Sequence, residues 1–191
     1  SKGGDLPIPN KLQIQNSKLQ ILFLGQMEAY KGILDLIEAV QKTKSDVVLH
    51  IVGDGSALIE AKEKAGNDSR FKFYGRLSQT ELETKIWPLI DLLINPSLVP
   101  ESFGMVVVEA MAHGVPTLAS NLVALPELIE ENRTGWLFEA GNIEALSRKI
   151  EHLAQNICGY QAMNLLCQEQ AKQFGLDDYL NKLIEFAKIV S

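Results

Sequence analysis

The sequence predicts an α/β protein: a doubly wound, parallel, six-stranded Rossmann-like sheet with helices on both faces and extra helices at the C-terminal end. Three observations lead there. Short apolar runs bounded by Gly, Pro or Asn alternate with segments of helical period along most of the chain. The runs LQILFLG, DVVLHIVG and DLLINPS are almost continuous in apolar residues, as strands covered on both faces must be. Strands that alternate with helices are joined by crossovers, and crossovers build parallel sheets.

Taken in order, residues 1–18 are rich in Gly, Pro, Asn, Gln and Lys without sustained period and read as a linker or tail, leaving 19–191 as the folded domain. Strands are expected at 19–25, 46–53, 71–75, 91–97, 116–120 and 134–138. Helices are expected at Lys31–Lys42, Ser56–Ala65, Ser78–Ile90 and Phe103–His113, with a short one from Pro126. Ser78 followed by Glu81 reads as a capping box, and Pro126 suits a first helical position. Asn142 is placed to cap Ile143–Ala154, and helical stretches follow at Tyr160–Phe174 and Asp177–Val190.

Composition narrows the function classes. The 191 residues, 46% of them hydrophobic, suffice for one domain with a sizeable core. A net charge of −6 without any dense Lys/Arg run argues against nucleic acid as the main partner. No apolar run reaches the ~20 residues of a membrane span, and SKGGDLPIPN lacks the layout of a signal peptide. A cytoplasmic chain is expected. Cys158 and Cys167 have no companions at metal-ligand spacing, so they read as idle thiols of a reducing compartment, and no metal ligand is assigned.

Doubly wound sheets bind ligands outside the carboxyl ends of their strands. In the loop GQMEAYKG, Gly25 permits a tight turn and Lys31 stands at a helix entrance, where it is either a solvated lysine or a partner for an anion. In VGDGSAL, Gly53-x-Gly55 lacks the third glycine of a dinucleotide fingerprint and follows the second strand rather than the first, so it reads as a structural turn. The stretch VPESFGMVVVEAMAHGVP sets Glu101 in the loop beyond the fourth strand, beside the topological switch point. A helix starting near Phe103 would leave the amides of Phe103, Gly104, Met105 and Val106 unpaired, a cluster that prefers phosphate. Glu109, eight residues after Glu101, is roughly 12 Å along if all is helical. Two carboxylates bracketing an anion site suit a ligand with phosphate in its middle and sugars at its ends, since carboxylates accept hydroxyl hydrogen bonds strongly. Solvent exposure is the other reading of Glu109. His113 reads as structural or solvent-facing, and His50 and His152 show no partners.

The run PSLVPESFGMVVVEAMAHGVPTLAS, with FLGQMEAYKGILDLIEAV before it and LPELIEENRTGWLF after it, resembles the C-terminal donor-binding domain of family 4 retaining glycosyltransferases of the GT-B fold. The similarity runs from about Leu19 to Phe138. The resemblance implies a nucleotide-diphosphate sugar as donor substrate. Glu101 would hydrogen-bond the transferred sugar, and Glu109 the ribose hydroxyls. Phe103, Gly104, Met105 and Val106 would hold diphosphate and sugar through their amides, alongside Gly25 and Gln26 of the first loop. Lys31 would neutralise the departing diphosphate. In GRLS, Arg76 and Leu77 would line the base through main-chain groups. No Asp-x-Asp occurs in the sequence, which fits a donor site without a metal cofactor.

Three positions depart from the family pattern. Gln26 stands where Arg is usual, Val123-Ala124 where a glycine pair is common, and Ser102 where Gly is frequent. The resemblance also implies an N-terminal acceptor-binding domain of the same chain, absent from this sequence. The expectation is therefore a domain fragment, nearly inactive alone, with peripheral membrane contact left to the missing half. A non-catalytic nucleotide- or nucleotide-sugar-binding module is the alternative, and a nicotinamide oxidoreductase is disfavoured by the incomplete glycine fingerprint.

Overall fold

In a computed structural model describing residues 18–100, 104–156 and 161–174, the apolar runs become strands β1 (Leu19–Leu24), β2 (Val47–Val52), β3 (Phe71–Gly75), β4 (Leu92–Asn95), β5 (Thr117–Ser120) and β6 (Gly135–Phe138). All pair in parallel, in the order β3-β2-β1-β4-β5-β6. β1 therefore has β2 on one side and β4 on the other. That is the switch point, where connections from neighbouring strands leave in opposite directions and open a crevice.

Strand alternation sorts the core into two halves. Leu19, Ile21 and Phe23 of β1 with Val47, Leu49 and Ile51 of β2 face α1 (Ile33–Lys42), α2 (Leu58–Ala65) and α6 (Ile143–Ala154). Leu22, Leu93 and Ala119 face the other layer. It consists of α3 (Gln79–Glu81) with its continuation, α4 (Met105–Ala112), α5 (Leu125–Leu128) and α7 (Gln161–Lys172). α1 buries Ile33, Leu36, Ile37 and Val40 completely on one stripe, each adding about 2 kcal/mol as an upper bound. Among the described residues no helix is long and apolar enough to cross a membrane.

Several element ends differ from expectation, each for a local reason. The expected helix from Lys31 is a 3₁₀ turn over Ala29–Lys31, then a left-handed Gly32 (φ 73°), then α1. Gly32 is required there: a Cβ would stand 1.9 Å from the Pro96 carbonyl oxygen. The expected single helix Ser78–Ile90 is α3, a π turn over Leu82–Ile86 and a 3₁₀ turn over Trp87–Leu89. Pro88 is the cause, because it has no N–H for the i−4 carbonyl and its ring crowds that carbonyl. The Ser78–Glu81 capping box forms with both reciprocal bonds, and the Asn142 side chain accepts from Ala145 N at 2.9 Å. α4 starts at Met105 with Gly104 as its N-cap, and Pro126 sits within the first two residues of α5. The stretch 177–190 and Cys158 lie outside the described residues. Cys167 is buried, its thiol pushed up to about 12 by that burial, as expected of an idle thiol.

Candidate functional site

Two loops meet at the switch point. The loop after β1 is anchored on one side by Met27, fully buried, whose N–H donates to the Asp54 carbonyl at 2.9 Å and whose carbonyl accepts from Ala57 N at 2.8 Å. Beside it the Glu28 carboxylate accepts from Ser56, and those bonds hold it below the usual carboxylate range. Gly53 belongs to this packing: a Cβ there would lie 1.8 Å from the Gly25 carbonyl oxygen. The turn glycines of VGDGSAL thus serve loop-to-loop contact, in keeping with their structural reading. On its other side the first loop is tied to the segment after β4 by Leu98 N donating to the Tyr30 carbonyl at 2.8 Å.

Anchored in this way, the loop presents Gly25, Gln26 and Lys31 to a cleft of about 290 Å³. The opposite wall is the start of α4, Met105 and Val106, and the floor is Ile94 and Asn95 at the end of β4. The first intrahelical bond of α4 is donated by Val107 N to the Gly104 carbonyl at 2.8 Å. Met105 and Val106 therefore precede it, with their N–H groups at the positive end of the helix. Lys31 Nζ lies 5.9 Å from the centroid of the Tyr30 ring. A cation and a helix start on facing walls make the cleft receptive to an anion.

Of the sequence-predicted residues, the structure gathers Gly25, Gln26, Lys31, Met105 and Val106 here. Gly104 is buried, and a Cβ on it would press on Leu125 and Leu128 at 2.9 and 3.0 Å, so its missing side chain serves the packing of α4 on α5. Arg76 is exposed beyond β3, and Leu77 packs against the α4-side core. Glu101 and Phe103 lie outside the described residues. Val123 is 69% exposed with φ 33°, left-handed backbone that costs a β-branched residue about 1–2 kcal/mol and suits glycine.

Glu109 is not in the cleft wall. One helical turn beyond Met105, it faces α3 instead, and there the structure assembles a group the sequence analysis missed. Gln79 Nε2 donates to Glu109 Oε1 at 3.2 Å and to Glu83 Oε1 at 3.0 Å. His113 Nε2 lies 3.3 Å from Glu83 Oε1, an ion-pair distance without the alignment of a hydrogen bond. The His113 ring stacks on Trp87, centroids 4.7 Å apart and planes 12° from parallel. The Trp87 indole N–H completes no hydrogen bond, yet it favours the ionised form of Glu109. Burial pushes Glu109 up; the Gln79 amide and His113 pull against it, and the Glu83 carboxylate adds to the rise. Glu83 goes the other way: burial would raise it, but His113 and Gln79 outweigh that and hold it low. Among the described residues no group of three or more His, Cys, Asp or Glu is arranged to hold a metal ion.

A family model described as glycosyl transferases, group 1, matches residues 6–178. The chain is 30% identical over 184 residues to an uncharacterized 41.2 kDa protein of the cps region of Klebsiella pneumoniae, covering 94% of this chain and 49% of the relative. It is 33% identical over 140 residues to a phosphatidyl-myo-inositol mannosyltransferase of Mycobacterium leprae, covering 71% of this chain and 37% of that one. The chain thus spans about half or less of the length of these relatives. A crystal structure of Anabaena Alr3699/HepE in complex with UDP and glucose superposes with a TM-score of 0.71 at 23% identity, over 88% of this chain and 48% of that one, a likeness of fold.

Proposed function

The chain belongs to the group 1 glycosyl transferases, and we propose from that premise that it is the donor-binding half of a retaining, family 4 enzyme that uses a nucleotide-diphosphate sugar. An N-terminal domain of the same protein holds the acceptor. The observation that carries this reading is the anion-receptive cleft at the β1–β4 switch point, whose α4 wall continues within one turn to a carboxylate facing α3.

Transfer breaks the bond between the anomeric carbon and a diphosphate oxygen, whose electron pair leaves with the nucleoside diphosphate. It forms a bond from that carbon to the acceptor's hydroxyl oxygen on the same face, the hydroxyl proton passing to the departing diphosphate. Lys31 and the Met105 and Val106 amides receive the diphosphate where that charge develops, which lowers the barrier electrostatically. These groups stand in for the positive charge of a divalent cation. Glu109 accepts from the ribose hydroxyls, and the main chain at Arg76 and Leu77, three and two residues before Gln79, takes the base. Glu101 and Phe103 receive the sugar end by resemblance alone. A second reading, a nucleotide-sugar-binding module without transfer, draws on Gln26 in the cleft and on the strained Val123.

The test is thermal melting with millimolar UDP, GDP and ADP, UDP first because the Anabaena structure contains it. A nucleotide present at a hundred times its Kd adds about 2.7 kcal/mol of stability, and Glu109→Ala should remove the rise in Tm. No rise with any of the three sinks the donor site. Nucleotide binding without transfer, once the acceptor domain is supplied, selects the second reading.

A further inference from the structure

Two ladders of side chains spaced four residues apart face each other across the α3–α4 junction. One is Gln79, Glu83 and Trp87; the other is Glu109 and His113. Each contact between them has a local cause. The capping box at Ser78 sets Gln79 as the first residue of α3. The π turn forced by Pro88 carries Glu83 and then delivers Trp87 under the His113 ring. Helical π turns are rare and gather at functional sites.

We infer that Gln79, Glu83 and His113 are positioning residues for Glu109, a chain of contacts that aims one of its oxygens and leaves the remaining acceptor sites for a vicinal diol. The inference rests on the reading of Glu109 as the ribose acceptor. A carboxylate offers about four lone-pair sites, and Gln79 engages one oxygen of Glu109 at 3.2 Å. The same amide nitrogen is anchored at 3.0 Å to Glu83, so Gln79 cannot swing away without giving up both carboxylates. Glu83 in turn is set by His113, and His113 by its stack on Trp87. His113 is the C-cap of α4, and its N–H donates to the Glu109 carbonyl at 3.2 Å, which ties the backbone of the two residues together as well. Glu83 and His113 act on the charge of Glu109 in opposite senses, the one disfavouring and the other favouring its ionised form.

The experiment uses whichever of UDP, GDP or ADP binds best, together with its 2′-deoxy analogue, titrated calorimetrically into wild type, Gln79→Ala, Glu83→Gln, His113→Gln and Glu109→Ala. In Gln79→Ala the ribonucleotide should weaken about tenfold, the scale of one hydrogen bond to a charged group, with the 2′-deoxynucleotide unchanged. That unchanged Kd also reports an intact fold. The acid limb of ribonucleotide binding should move to lower pH in Glu83→Gln and to higher pH in His113→Gln, opposite shifts that loosened packing would not give. A ribose-to-deoxyribose ratio kept in Gln79→Ala but lost in Glu109→Ala overturns the positioning role and leaves the ribose assignment standing. A ratio unmoved in Glu109→Ala overturns both.

Discussion

Glu151, near the end of α6 at the amino edge of the sheet, accepts from Thr43 Oγ1, from Lys44 N at 2.8 Å and from Ser45 N at 3.2 Å, which together staple the loop between α1 and β2. Glu109, on α4 toward the carboxyl edge, accepts from the Gln79 amide and has a second carboxylate across that same amide. The consequences are opposite. The Thr43 bond, with the Lys44 and Ser45 donors, outweighs the opposing effect of burial and brings Glu151 down to about 2; burial lifts Glu109 above its ordinary value. One carboxylate is spent on the fold. The other is disfavoured in its ionised form by burial, and Gln79 engages only one of its oxygens.

Substitutions separate the two. The largest effect is expected for Glu151→Ala, about 1–2 kcal/mol lost at pH 7 after allowance for solvent screening of a partly exposed group, read as a lower Tm. Because the folded pKa is depressed, that stability is present above the ordinary value of 4.5 and is lost as pH falls toward about 2. The gap between wild type and variant should therefore close over that window, and a gap constant down to pH 2.5 would contradict the staple. Next comes Ser78→Ala, about 1 kcal/mol for loss of the N-cap. It should also weaken nucleotide binding, because the cap sets Gln79; a drop in Tm with unchanged affinity would uncouple the two. The smallest effect has the reverse sign. Burial raises Glu109, so ionising it costs the fold, and stability falls as pH rises through and above the ordinary carboxylate value. Glu109→Gln should raise Tm slightly at pH 7 and leave it unchanged near pH 3, while losing nucleotide binding. A lower Tm at pH 7 would place Glu109 with Glu151.

Much of this was legible in the sequence because the signals are local. Near-continuous apolar runs require strands covered on both faces, the Ser78–Glu81 spacing requires its cap, and the cleft at the switch point follows from loops at the end of β1 and at the start of α4. Helix interruption was less legible: periodicity carries Ser78–Ile90 through as one helix, and Pro88 overrides it by removing a single donor. The α3–α4 group was invisible. Gln79 with Glu83, and Glu109 with His113, are recognisable as pairs four apart, but nothing in either segment says that they face each other. His50 likewise showed no partner, yet sits between Tyr74 and Gln20 at 2.8 Å each and is lowered to about 4, chiefly by burial.

By itself the sequence determined the parallel sheet, its family and the identity of the carboxylates, since apolar period, cap residues and motif spacing are all properties of neighbours along the chain. Only the tertiary structure decided which carboxylate is satisfied and which is held in reserve. Donors reach Glu151 from more than 100 positions away, and Gln79 reaches Glu109 across a helix pair, 30 positions apart. Such meetings are set by how layers pack on the sheet, a distance that no window along the sequence contains.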